Sequence, residues 1–191
     1  MNEFEEKIGV RPIFGGYHKT QGTKNALVNL DNGCYLEIIA IDDTNADVNP
    51  PRWMGVDMLS KDQITRFAIK SNSLQKDADI LNKWNDRMGT IARGSRNTAE
   101  GTFLQWELLM PLATPEVELI PFMIDWSKSE IHPSEFLPNM GCQLIELYGT
   151  HPDPRKFDEL FKDLNYDFRI KKATEVAIKL VLQTPNGKVE L

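Results

Sequence analysis

Asp31-Asn32-Gly33 separates two apolar runs, Thr23 to Leu30 and Cys34 to Ile41, and this triplet limits the chain's folding options more than any other feature. Asn-Gly and Asp-Gly sequences suit the backbone angles of a tight turn between antiparallel strands. The flanking runs therefore read as a hairpin, with Ala26, Val28 and Leu30 on one face of its first strand. Glu37 lies in the second strand between Leu36 and Ile38, where a carboxylate must reach solvent or find a partner. The longer stretch Gly15 to Asp43, GGYHKTQGTKNALVNLDNGCYLEIIAIDD, joins this hairpin to a glycine-rich segment that carries His18, placed by the sequence in a flexible loop.

The rest of the chain repeats the hairpin's surroundings. Asn2 to Ile8 reads as the end of a helix stopped at Gly9. After the break at Asn49-Pro50-Pro51, Ile64 to Ile69 reads as a strand. Ser73 then caps a helix whose Leu74, Ala78, Leu81, Trp84 and Met88 share a face. Ile91 to Gly94 opens an extended piece, and Phe103 to Met110 and Glu118 to Ile124 read as strands. Ile8-Gly9-Val10 aligns with Met88-Gly89-Thr90, and Gly22-Thr23 to Leu27 aligns with Gly101-Thr102 to Trp106, so two units follow one plan. A third, partial unit runs from the strand Cys142 to Tyr148 through a helix after Asp153-Pro154 to the strands Ala173 to Leu182 and Val189 to Leu191.

The expected division is therefore 1–58, 59–139 and 140–191. At 191 residues the chain can bury a substantial core as one domain or as closely packed modules. Its 28 acidic against 22 basic residues give a net charge of -6, which repels phosphate backbones and anionic lipid, so neither nucleic acid nor a membrane is an expected partner. Met1 to Lys7 lacks the basic start and apolar core of a signal peptide. Cys34 and Cys142 sit in apolar segments, as reduced structural thiols do, and a cytoplasmic location is expected. Spacing alone leaves a disulfide between them open.

Several side chains are candidates for chemistry on residue type and place. Thr23 and Asn25 enter the hairpin with groups able to orient a carbonyl, although such residues also satisfy turns. Arg93 and Arg96 bracket Gly94-Ser95 and suit an anionic substrate as well as plain exposure. Trp106 alternates inward and either lines a pocket wall or fills the core. Asp125 and Trp126 end a buried strand near a cavity mouth, and His132 lies in a proline-flanked loop that could fold over it. Phosphate-loop, Cys-x-x-Cys and nucleophile-elbow patterns are missing from the sequence.

Three stretches carry a resemblance: GGYHKTQGTKNALVNLDNGCYLEIIAIDD, the later PFMIDW followed by HPS, and the closing HPDPRKFDELFKDL with QTPNGKVEL. They resemble the glyoxalase-like branch of the vicinal oxygen chelate superfamily. The resemblance implies an α+β fold of paired βαβββ modules in a curved mixed sheet around a pocket, with a C-terminal βαββ extension. The resemblance implies that the opening strand of the first module is missing from the chain, and one reading has that strand come from upstream sequence or another subunit. A sheet edge left open in this way also implies a homodimer as an expected state.

In that superfamily a divalent metal is held by a His on a module's first strand and a Glu on its last. Glu37 falls on the Tyr-Leu-Glu position of that Glu, whereas Arg66 and Phe122 stand near the second module's ligand places. No metal is expected, and Zn, Mn, Fe or Ni would bind only if the missing strand supplied ligands. The resemblance makes Glu37 and His18 the catalytic pair, with Thr23, Asn25, Arg93, Arg96, Trp106, Asp125, Trp126 and His132 around a small-molecule ligand. A lyase or isomerase acting on a carbonyl or vicinal-oxygen compound is the leading expectation. A metal-free binding protein of the bleomycin-resistance type is the alternative.

Overall fold

The structure, a computed structural model, describes residues 2–98 and 101–191. Its elements are helix α1 (Asn2–Ile8), strands β1 (Ile13–His18), β2 (Thr23–Asn29), β3 (Tyr35–Ile41) and β4 (Ala68–Lys70), helix α2 (Leu74–Trp84), and strands β5 (Ile91–Asn97), β6 (Phe103–Leu109) and β7 (Phe122–Asp125). A short helix α3 (Pro133–Phe136) leads to β8 (Gln143–His151), helix α4 (Asp158–Asp163), β9 (Ile170–Lys172), β10 (Ala177–Thr184) and β11 (Gly187–Glu190). This is the α+β arrangement expected, with one strand more in the extension than the sequence suggests.

The strands form three sheets, ordered β1-β2-β3, β4-β7-β6-β5 and β11-β10-β8-β9. The internal repeat is real at the level of pairing: α1 with β1 to β3 and α2 with β5 to β7 follow the same antiparallel meander. The second unit also carries β4, which pairs in parallel with β7. Among the described residues, β3 at the equivalent place pairs with β2 alone.

Three apolar clusters hold the layers together. Ile8, Val28 and Leu30 pack with Cys142, Leu180 and Leu182, fixing α1 and one face of the first sheet against the third. Leu74, Ala78 and Leu81 of α2 pack with Met123, Leu109 and the α4 residues Leu160 and Phe161. The third cluster, Trp53, Met54, Leu104, Trp106, Leu108 and Trp126, takes Ile39 from β3 and Ile124 from β7, so it lies on the face common to the first two sheets. Both cysteines are free thiols.

Several local expectations shift. His18 is the last residue of β1 and only 5% exposed, because Gly15-Gly16 continue the strand across a bulge instead of opening a loop. The strand expected over 64–69 is a ladder only from Ala68, since Arg66 turns its guanidinium into neighbouring backbone carbonyls. The strand expected from Glu118 begins at Phe122, just after Pro121, which has no amide hydrogen for a ladder. Ser73 occupies the cap position of α2 without a side-chain cap, and Ser71 Oγ accepts from its amide instead. The Asp153-Pro154 start opens a 3-10 turn, Pro154–Phe157, before α4.

Candidate functional site

Register decides which side chains meet. In β2 and β3, Leu27 opposes Glu37, Asn25 opposes Ile39 and Asn29 opposes Tyr35, so these residues share a face. His18 opposes Thr23 across β1 and β2 and adds an imidazole to that face. In the second sheet Arg96 opposes Leu104 and Gly94 opposes Trp106. A Cβ on Gly94 would overlap the Trp106 indole, so the missing side chain is what lets that ring lie flat over β5.

The polar centre is compact. His18 Nδ1 is 3.0 Å from Thr23 Oγ1, Asn25 Nδ2 is 3.4 Å from His18 Nε2, and the same Asn25 amide donates to Glu37 Oε1 at 2.5 Å. Glu37 Oε1 stands 3.7 Å from His18 Nε2. Asn25 can turn inward because Gly15 leaves it room: a Cβ there would overlap Asn25 Oδ1. Arg96, 6% exposed, donates to the Gly15 carbonyl and so ties β5 to β1. Its charge acts on both Glu37 and Tyr35.

Burial sets the protonation states. Desolvation lowers the His18 pKa; Glu37 opposes that shift and Arg96 adds to it. Burial and the Glu37 charge push the Tyr35 phenol upward, so it remains a proton donor. Below pH ~6.5 an unfolded His18 takes up a proton that the folded one refuses. Stability is therefore expected to hold above that pH and fall below it, by up to ~1.4 kcal/mol per pH unit from this one group. Urea denaturation between pH 7.5 and 5.5 should show the slope, and His18→Asn should flatten it; an unchanged slope in the variant would refute the assignment.

Of the residues singled out by sequence, His18, Thr23, Asn25, Glu37, Arg96 and Trp106 come together here. Trp126 stacks obliquely on Trp106 with ring centroids 5.0 Å apart, and His132 meets Trp126 edge-on at 5.6 Å and Tyr35 at 5.7 Å. Arg93 does not join them: it lies on the opposite face of β5, 83% exposed and 2.9 Å from Glu107. Asp125, opposite Glu107 in the ladder, accepts from the Ser127 amide at 2.7 Å and closes the strand. It also borders a cavity of about 460 Å³ shared with Trp126 and His132.

Two contributors were not singled out. Tyr35 stands two residues before Glu37, the spacing that puts both on one face, and that spacing alone could have revealed it. Trp53 meets the His18 ring edge-on at 5.2 Å, and nothing in its surroundings after Pro50-Pro51 announces it. Among the described residues no three His, Cys, Asp or Glu side chains converge as a metal would require, and no helix is long and apolar enough to cross a membrane.

The comparisons agree with this architecture. A crystal structure of a hypothetical protein from Staphylococcus aureus superposes with a TM-score of 0.57, covering 95% of this chain and 75% of that chain at 15% identity, which is a likeness of fold. No curated protein matches. The family model described as a glyoxalase-like domain matches residues 1–165, which hold all of the first two sheets and the first strand of the third. The chain belongs to the glyoxalase-like domain family.

Proposed function

We propose that the chain binds a small carbonyl compound on the face shared by its first two sheets and moves a proton at the carbon beside that carbonyl. The observation that carries this reading is the Asn25-bridged pair of His18 and Glu37, held beside a protonated Tyr35. Glu37 takes the proton from the substrate C–H bond, and the electron pair moves into the carbonyl oxygen. Tyr35 donates to that oxygen, and the buried Arg96 charge favours the negative centre that develops there. With an α-hydroxy carbonyl compound, Tyr35 protonates the carbonyl oxygen, the neighbouring hydroxyl gives up its proton, and return of the proton from Glu37 to the former carbonyl carbon gives isomerisation; with a leaving group on the β carbon, its departure with the electron pair gives elimination.

Divalent-metal chemistry is associated with the wider fold, but the residues here fit such an ion poorly. One carboxylate and one imidazole face each other, the Arg96 cation acts on the same carboxylate, and among the described residues no three His, Cys, Asp or Glu side chains converge around them. No step is therefore routed through a metal. Elemental analysis of purified protein provides a check, because one tightly bound divalent ion per chain would overturn the assignment.

A second reading, binding without turnover, is favoured by the aromatic cluster of Trp53, Trp106 and Trp126 on that face, of which Trp126 borders the cavity. Hydrogen–deuterium exchange at the methyl group of 4-propylacetophenone in D2O separates the two. The wild type should accelerate exchange, and Glu37→Gln should lose at least about 100-fold of that rate, the usual contribution of a positioned base. Quenching of tryptophan fluorescence without exchange would establish the binding reading instead.

A further inference from the structure

The cavity of about 460 Å³ beside Trp126 and His132 is not absorbed by the proton-transfer centre, and ring contacts link its inner wall to that centre. His132 meets Trp126 at 5.6 Å, Trp126 meets Trp106 at 5.0 Å, and Trp106 meets His18 at 6.2 Å. Tyr35 spans the other side, 5.7 Å from His132 and one strand repeat from Glu37. The row is a packed file of aromatic rings with polar groups at each end.

Its outer end has donors without partners. Lys70 borders the cavity, and its register opposite Ile124 places it on the Trp106 face of the second sheet. Among the described residues no carboxylate lies within ion-pair distance of Lys70. The Ser134 amide donates to His132 Nδ1 at 3.3 Å, so the neutral ring carries its proton on Nε2 and is a second donor. Two of the nearby carboxylates are occupied, Glu135 with the His132 amide at 2.9 Å and Asp125 with the Ser127 amide. Glu130 is the third acid on the rim.

Resting on the proton-transfer reading, we infer that the substrate is an elongated molecule: its carbonyl lies at Glu37, a flat apolar body runs along Trp106 and Trp126, and a carboxylate or similar anion lies at Lys70 and His132. Two residues along a strand advance ~7 Å, and the further step from Tyr35 to His132 sets the two polar ends roughly 10 Å apart. An ammonium meeting a carboxylate forms a charge-assisted hydrogen bond, while an uncharged analogue leaves Lys70 solvated and gains nothing there.

Two probes with the same body test this, 3-(4-acetylphenyl)propanoate and the uncharged 4-propylacetophenone, titrated by tryptophan fluorescence. The carboxylate should bind about tenfold tighter to the wild type, with the advantage shrinking as salt rises. Lys70→Met should erase that advantage and leave binding of the neutral probe unchanged. Glu37→Gln should weaken both probes alike and slow methyl exchange in both. If Lys70→Met leaves the ratio intact, or if 3-(4-acetylphenyl)propylamine binds tighter than the carboxylate because Glu130 dominates, the anion subsite is wrong while the inner centre stands. If neither aryl ketone binds, both assignments fall.

Discussion

Replacing Arg66 by Met is expected to lower the stability of the fold by about 2–4 kcal/mol, because several partly buried backbone carbonyls lose a charged donor at once. The Arg66 guanidinium donates to the carbonyls of Glu116 at 2.5 Å, Leu112 at 3.0 Å, Thr114 at 2.9 Å and its neighbour Thr65 at 2.8 Å. It thereby fixes the loop between β6 and β7, directly before Leu119 and Ile120 enter the core. Removing it leaves several partly buried carbonyls without donors, each costing about 1–3 kcal/mol where water cannot substitute. Lys at this position offers three donors on one point and cannot span four carbonyls, so Arg66→Lys should recover only part of the loss. Arg93→Met is the control: its partner Glu107 keeps Lys128 at 2.7 Å, and the exposed pair is worth little. Urea midpoints for the three variants decide the matter, and equal losses for Arg66→Met and Arg93→Met would refute the argument.

Arg66 also shows where sequence reading stops. As a letter in a strand-like run it stands near the family's ligand position, and only the tertiary path of residues 112–116 gives it a different role. The hairpin around Asp31-Asn32-Gly33, the inward face of α2 and the repeat of the first unit in the second were legible because they depend on local periodicity and turn chemistry. The ring row was legible in part: Trp106, Trp126 and the nearby His132 stand out by strand position and loop chemistry, whereas Trp53, from a separate stretch, joins them only because the first two sheets share a face. His18 was legible as a candidate but not as a buried strand residue, because Gly-Gly reads as a loop until the bulge between Phe14 and Gly16 is seen. Lys70 was overlooked since an exposed lysine acquires meaning only from the unpaired cavity it borders.

Arg96 is the other residue whose loss should be costly, and here the effect has a diagnostic sign. Arg96→Met removes the bond from β5 to the Gly15 carbonyl and strips a positive charge from beside Glu37 and Tyr35. A loss of about 2–4 kcal/mol is expected, comprising an orphaned carbonyl and a half-buried carboxylate without its cation. Because part of that loss is electrostatic, Glu37→Gln should partly rescue it: the double variant should be more stable than Arg96→Met alone, with a coupling above ~0.5 kcal/mol. The Arg96 charge also lowers the His18 pKa, so its removal should move that pKa back toward 6.5 and reduce the stability lost on acidification. A purely structural clamp would give additive losses and an unaltered pH slope. The double-mutant cycle, run by urea denaturation at pH 7.5 and pH 5.5, separates these outcomes, and additivity at both pH values would show that Arg96 holds β5 to β1 without setting the charge of the site.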